Sequence, residues 1–335
     1  MSKTFRLPRG PGMLLDIVSY GRAGPRGDIP LTPAQVAQIQ RTVRRAPEVV
    51  VKVLPKSATT LKAAAQHIDY IGRAGAVALE TDDGPPVTGI EGKALMEGWD
   101  LDLDEIRSRP GLVPKERRRA PKLIHKVVFS MPVGTPPDKV LAAVRNFARE
   151  EFALQHRYAL ALHTDDDHPH VHLVLKAVSE QGVRLNIRNA TRRHWRSQFA
   201  RHLRALGVPA NATERAVRGQ TRKAKMDGIY RASLRGESTV LRTQAEAVAT
   251  ELLKGDVRVD PGHQRLLETR KAVEGGWRAV AHRLAGEGRH ELAGEVMRFV
   301  AGMAPPKTER ELLASELLRR ARVEKVRPPT LTRSP

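Results

Sequence analysis

The chain has no cysteine among its 335 residues, which excludes disulfides and any thiolate metal site. Aromatic residues make up only 4% of it, so a core drawn from the 40% hydrophobic fraction must rest mainly on Ala, Leu and Val. No run of about 18 apolar residues occurs, so no membrane span is expected. The first ten residues lack the apolar centre of a signal peptide, and a cytoplasmic protein is expected. No G-x-x-x-x-G-K-[ST] phosphate loop is present; Gly89-Ile-Glu-Gly-Lys93 does not fit that pattern. Acidic residues are also scarce: 37 Asp+Glu stand against 58 Lys+Arg, a formal net charge of +21. An excess of that size points to a polyanion, most simply a nucleic acid, with an anionic membrane surface or an acidic protein as alternatives.

Length allows two domains, or one domain with extensions. Residues 1–45 are basic and punctuated by Gly and Pro. Gly10 to Gly27 has the composition of a flexible arm, and a short helix is expected near Leu31 to Gln40, with Thr32 as its N-cap and Pro33 at its first position. Residues 46–225 alternate strand and helix patterns. Pro47–Leu54 is a strand, and a helix follows from about Ser57 to Arg73, with Leu61, Ala64, Ala65, Ile68 and Ile71 at helical spacing. Ala76–Glu80 is a short strand, and a short helix lies near Lys93–Trp99. Leu123–Ser130 is a strand, and a helix from Asp138 to about Gln155 packs Val140, Leu141, Val144, Phe147 and Phe152. After a hairpin, Gly182–Ile187 is a strand and Thr191–Leu206 a strongly basic helix. This order predicts an α+β fold, a mostly antiparallel central sheet flanked by helices. Residues 226–335 read as a helical region rich in Ala, Leu, Glu and Arg, ending in a tail with the composition of disorder.

The stretch His163-Thr-Asp-Asp-Asp-His-Pro-His-Val-His172 concentrates four histidines and three aspartates in ten residues. Tyr158–Leu162 before it and Val171–Val178 after it both have strand composition. The polar piece between them is short enough to be a hairpin loop. Strand period two puts His170 and His172 on one face and Val171 on the other. Hairpin pairing then sets His163 beside His170, so three imidazoles converge. Neutral imidazoles suit first-row divalent metals, and three ligands leave positions open for substrate or water. The plain alternative is a polar loop tip on a strand surface.

A metal on three histidines polarises a phosphate oxygen, and a basic chain makes a phosphodiester the natural substrate. The nucleophile is then water or a side chain. Four tyrosines are available. Tyr158 stands at odd spacing from His163 and is expected in the core. Tyr20 and Tyr230 lie in Gly/Pro-rich and basic connecting segments, where stacking on a base or exposure is expected. Tyr70 ends a helix close to Gly72, Arg73 and Gly75, where a phenol reaches outward; an ordinary packed or exposed helix residue is the alternative.

The pattern His163-x-Asp165-x-x-x-Pro169-His170-x-His172 resembles the three-histidine motif of conjugative relaxases, within the HUH endonuclease superfamily. The resemblance runs to the branch of the T-DNA border endonuclease and related mobilisation proteins. Val49–Pro55 with the helix ending His67-Ile-Asp-Tyr70-Ile-Gly-Arg73 resembles the segment carrying that family's catalytic tyrosine. Val127–Thr135 resembles its second motif region. The likeness covers roughly residues 48 to 225, and the tyrosine precedes the histidines as it does in relaxases.

The resemblance implies a strand-specific DNA nickase acting at a transfer origin. It makes His163, His170 and His172 ligands of Mg²⁺ or Mn²⁺, Tyr70 the nucleophile and Asp165 the acidic position that fixes a histidine tautomer. It implies a 5′-phosphotyrosyl strand and a free 3′-hydroxyl. A phenol has an ordinary pKa of about 10, so Arg73, the metal or a base must assist it. His168 falls outside the ligand pattern. Arg73, Arg192, Arg193, Arg196 and Arg218 are the candidate contacts to single-stranded origin DNA, with a solvated basic face as the alternative. The resemblance further implies accessory relaxosome proteins, a type IV coupling protein and passage with DNA into a recipient cell. A water-using metal phosphodiesterase and a non-catalytic basic DNA-binding protein are the competing readings.

Overall fold

A computed structural model of the chain describes Ile17, Ala232 and residues 30–55, 58–89, 91–107, 121–221, 235–254 and 260–326. In chain order the elements are α1 (Pro33–Val43), β1 (Val50–Val53), α2 (Leu61–Ile71), β2 (Glu80–Thr81), α3 (Gly92–Glu97), α4 (Leu101–Arg107), β3 (Ile124–Ser130), α5 (Pro137–Phe152), β4 (Tyr158–His163), β5 (His170–Lys176) and α6 (Asn189–Ala205). A 3₁₀ turn, Ala216–Arg218, follows, and then α7 (Thr239–Lys254), α8 (Pro261–Gly286), α9 (His290–Ala301) and α10 (Glu309–Val326). The arm Gly10–Gly27 (Ile17 apart), Tyr20, Lys115–Arg119, Arg222–Lys225, Tyr230 and the tail from Arg327 lie outside the described residues. No helix among the described residues is long and apolar enough to cross a membrane.

The chain divides into two compact units. The first, residues 44–212, is built on a five-stranded sheet of order β1-β3-β5-β4-β2. Every neighbouring pair in it is antiparallel, as the α+β reading requires. The period-two alternation of the strands gives each face its own cluster. Phe129, Tyr158, Leu160, Val171, Leu173 and Leu175 turn to the side covered by α5 and α6, where they meet Val140, Val144, Phe147, Trp195, Phe199 and Leu203. Ile124, Ala159, Ala161 and Val174 turn to the other side and meet Ala64, Ile68 and Ile71 of α2, with Met96, Trp99 and Leu101 beyond. Small residues on β4 let α2 lie close to the strand. Tyr158 is buried in the first cluster, as its odd spacing predicts.

Two helices of this unit have plain local causes. The Thr60 side chain accepts from the Ala63 N–H and starts α2. Pro137 occupies the first turn of α5, where the missing N–H costs nothing. The segment Gly182–Ile187 is not a strand, contrary to expectation. It makes a single bridge, Val178 to Arg184, because β5 already has β3 on one edge and β4 on the other. The returning chain can pair only beyond the end of β5.

The second unit takes in Ile17, residues 30–43 and the described residues from 213 onward. The sequence division at 45 and 225 therefore does not follow the packing. Leu31, Val36 and Ile39 are buried with Val273, Trp277, Val280, Val296 and Phe299, so the apolar stripe of α1 belongs to the helical region. The start of α1 is capped reciprocally: the Thr32 hydroxyl accepts from the Gln35 N–H, and the Gln35 carbonyl oxygen accepts from the Thr32 N–H. Gly276 on α8 is a steric requirement, since a Cβ there would stand 2.0 Å from the carbonyl oxygen of Ile17.

Candidate metal centre and tyrosine site

The β4–β5 hairpin pairs His163 with His170 and Ala161 with His172. All three imidazoles therefore share the face that carries α2. Their ring centroids are 5.2 Å apart for His163–His170, 4.6 Å for His163–His172 and 5.3 Å for His170–His172. One nitrogen from each lies within 4.8 Å of the others. The Met131 N–H donates to the Pro169 carbonyl, which ties the hairpin loop to the end of β3.

Backbone carbonyls set two of the tautomers. His163 Nε2 lies 2.7 Å from the Ile71 carbonyl and acts as its donor, which leaves a lone pair on Nδ1. His170 Nδ1 donates to the His168 carbonyl at 3.1 Å, which leaves the lone pair on Nε2. His168 thus contributes its backbone, while its ring stays exposed. His172 is pushed down to about 3 by burial, reinforced by His163, His170, His67 and Arg73. Burial likewise lowers His163. Three imidazoles, of which burial keeps His163 and His172 neutral and two are held by backbone acceptors, form a donor set that fits a divalent first-row cation.

Tyr70 sits in the last turn of α2 with 52% of its surface exposed. Its ring meets His172 edge-on at 6.2 Å between centroids. The helix ends abruptly. Arg73 (φ 50°) and Ala74 (φ 52°) occupy the left-handed region, where a side chain is strained. Gly75 follows at φ 91° and packs against Gly89 so closely that a Cβ would stand 3.1 Å from its Cα. This turn brings Arg73 back over the site. Its Cζ lies 5.2 Å from the Tyr70 ring centroid, one Nη2 hydrogen points to His163 Nδ1 at 3.4 Å, and the same nitrogen is ion-paired with Asp165. Burial acts to raise the Asp165 carboxyl, but its own backbone N–H and the Arg73 charge hold it below the usual range. Asp165 was expected to orient a histidine; its carboxylate grips Arg73, and its charge also acts on His163 directly.

The basic helix is placed elsewhere. Trp195, Phe199 and Leu203 bury α6 against the sheet face opposite the imidazoles. α5 leaves from the end of β3 that pairs with His170 and runs back along the sheet. His194 bonds to Glu151 in its last turn at 2.6 Å, so the first turns of α6 lie at the far end. Arg192, there bonded to Asn189, Arg193 and Arg196 are not brought to the triad. Arg218 belongs to the 3₁₀ turn of the helical unit.

Sequence reasoning missed His67. It stacks on Tyr70 with centroids 6.0 Å apart and planes 17° apart, and it meets His172 at 6.3 Å. Burial and then the Lys126 charge push it down to about 4. The signal was present, since residues i and i+3 share a helix face.

Residues 88–208 match the family model of the MobA/VirD2-like relaxase nuclease domain. That stretch holds β3 to α6 and all three histidines but begins after α2 and Tyr70. The T-DNA border endonuclease VirD2 of Agrobacterium fabrum (strain C58) is 25% identical over 228 residues, 62% of this chain and 49% of that protein. Its namesake from Rhizobium rhizogenes is 26% identical over 191 residues, 51% of this chain and 42% of that one. The chain spans about half the length of these curated relatives. Among solved structures, the MobM relaxase domain bound to pMV158 oriT DNA, in a Mn-bound crystal form, is 13% identical with a TM-score of 0.38, covering 56% of this chain and 98% of that one. The conjugative relaxase TrwC in complex with oriT DNA is 15% identical with a TM-score of 0.31, covering 84% and 100%. By its matched nuclease region and its VirD2 relatives, this chain is similar to the relaxases of the MobA/VirD2-like family.

Proposed function

We propose that this protein nicks one DNA strand at an origin of transfer, with Tyr70 as the nucleophile and His163, His170 and His172 as the ligands of Mg²⁺ or Mn²⁺. The observation that carries this reading is the convergence of an exposed tyrosine and three clustered imidazoles on one face of one sheet. The VirD2 relatives support a DNA endonuclease in the broader sense.

The Tyr70 oxygen attacks the scissile phosphorus, the phosphorus–O3′ bond breaks, and the 3′-oxygen leaves as a hydroxyl once protonated. The products are a 5′-phosphotyrosyl strand and a free 3′-end. The phosphoester bond is conserved, so rejoining needs no nucleotide. His163, His170 and His172 would hold a divalent cation, which would supply Lewis-acid charge to the phosphate when bound. Arg73 holds the Tyr70 ring from one side and lends positive charge where the phosphorane becomes more negative. Asp165 restrains Arg73. His67 and His172 bound the ring on its other sides and limit its rotamers.

The test uses the full chain, MnCl₂ and 3′-end-labelled single-stranded DNA tiled across the sequence flanking its own coding region. A labelled protein band that survives denaturant and disappears in Tyr70→Phe is expected. Cleavage that persists in Tyr70→Phe would assign the attack to water instead, and binding without cleavage would leave only a DNA-binding protein.

A further inference from the structure

The imidazole face of the sheet continues past β5 onto β3 and β1. Val128 pairs with His172, and Lys52 pairs in turn with Val128. Ser130 pairs with His170, and Val50 with Ser130. Lys126 pairs with Val174, one step further along the same face. Val50 is 39% exposed and Lys52 is exposed, so this half of the face stands open beside the wall formed by α2.

Lys126 is the unusual residue here. It is half-buried, between α2 and the open strands, and burial lowers its pKa with no acidic group offsetting the effect. No carboxylate among the described residues pairs with it or with Lys52. A partly desolvated ammonium without a counter-ion is costly, and an anion brought from outside would relieve that cost. As a diagonal cross-strand neighbour it lies about 7–8 Å from His172 between Cα atoms. Lys52 lies two strand spacings away, about 10 Å. These intervals set two cations on one side of the catalytic centre, on flexible stems suited to phosphate as point charges.

We propose that Lys126 and Lys52 form a phosphate-binding track on the open face of β1 and β3, holding the backbone of single-stranded DNA next to the phosphate at the imidazole triad. The track rests on the nuclease reading for the nature of its ligand, but not on the nicking chemistry. It runs alongside His67, which the Lys126 charge reaches, so a strand held there keeps its bases free for the exposed ring of Tyr70.

The experiment measures binding of a fluorescein-labelled single-stranded oligonucleotide of mixed sequence to the full chain. It is done by anisotropy over a series of NaCl concentrations, with EDTA present so that no cleavage intervenes. Each lost phosphate contact on a single strand reduces the slope of log affinity against log salt by about 0.7. Lys126→Met should therefore reduce it by about 0.7, and Lys52→Met with Lys126→Met by about 1.4. Lys126→Arg, which keeps the charge, should retain the original slope and shows that the site is still folded. A wild-type slope in the double variant overturns the track, whether or not Tyr70 forms a DNA adduct. A reduced slope in a protein that forms no adduct upholds the track and sinks the nicking reading.

Discussion

The guanidinium of Arg73 lies over the ring of Tyr70, 5.2 Å from its centroid, and is held there by Asp165. An exposed cation–π contact is worth about 0.5–1 kcal/mol, and an exposed ion pair no more than about that. Neither contributes much to folding. Their effect is to confine a half-exposed phenol and to place positive charge beside it. Arg73→Ala should leave the unfolding midpoint within about 1 kcal/mol of the parent. It should slow adduct formation about tenfold to a hundredfold through lost orientation and charge. Arg73→Lys should recover only part of the rate, because an ammonium lacks the planar guanidinium that lies over the Tyr70 ring while its Nη2 meets Asp165 and His163. Single-turnover adduct kinetics with urea melts of both variants check this; a large loss of stability in Arg73→Ala would assign the residue a structural role instead.

The position of the tyrosine helix depends on a glycine outside it. The N–H of Gly92, at the start of α3, donates to the Asp69 carboxylate at 2.7 Å. A Cβ at Gly92 would stand 2.4 Å from the Ala65 carbonyl oxygen and 2.8 Å from the Asp69 carboxylate. Both acceptors are on α2, the second next to Tyr70, so the two helices must part if residue 92 gains a side chain. Overpacking of this kind costs about 1–3 kcal/mol. Gly92→Ala should show that loss in thermal unfolding and should also lower the adduct yield, since the ring shifts relative to the triad. A variant with normal stability and normal yield would show that the contact is slack.

The parts of this site readable from sequence are those set by period. Alternation along the hairpin and the length of its loop place His163, His170 and His172 together, because a register slip of one would turn the histidines of β5 into the core and Leu173 and Leu175 out of it. The 3.6-residue spacing of Ala64, Ile68 and Ile71 places Tyr70 on the outer flank of α2. Contacts of polar residues across elements carry no such period. His67 is a polar residue on the border of an amphipathic helix, and only the packing of α2 on β4 and β5 makes it a neighbour of His172. The turn at Arg73 and Ala74 bears no Gly or Asn to announce its left-handed backbone. The basic helix read as a DNA contact has its apolar stripe on the wrong side of the sheet, which composition cannot reveal. α1 shows the same ambiguity: its stripe declares a buried face but not the partner that buries it.

His125 gives the fold a dependence on acid. Its Nε2 lies 3.2 Å from the Leu185 carbonyl, and burial, followed by the charge of Lys122, pushes it down to about 4. An unfolded histidine titrates near about 6.5. Between those values the unfolded chain binds a proton that the folded chain refuses, so stability present above about pH 6.5 is lost as the pH falls to about 4 and changes little below it. The shift corresponds to about 3 kcal/mol at most. His67, also pushed down to about 4, acts in the same direction. Urea midpoints taken from about pH 7 to about pH 4.5 should fall steadily, and His125→Leu should flatten part of that fall. An unchanged profile in His125→Leu would mean that the ring accepts its proton within the fold.

The three imidazoles should separate when metal binding and folding are measured together. His170 is part-exposed and bonds only to the carbonyl of His168 in its own loop. His163 instead bonds to the Ile71 carbonyl at the end of α2, which makes it a strut between the sheet and the helix that carries Tyr70. A ligand that binds only the folded state at a hundred times its Kd adds about 2.7 kcal/mol. For a unit of this size that is a rise of roughly 5–10 °C. MnCl₂ should therefore raise the Tm of the unit built on the sheet in the parent chain, and the rise should vanish in both His170→Ala and His163→Ala. Without metal the two variants should differ. His170→Ala should melt close to the parent, whereas His163→Ala should melt lower by about 1–3 kcal/mol, the cost of leaving the Ile71 carbonyl without its partner. Equal metal-free melting of the two variants would remove the strut, and a metal-induced rise that survives His170→Ala would remove that residue from the ligand set.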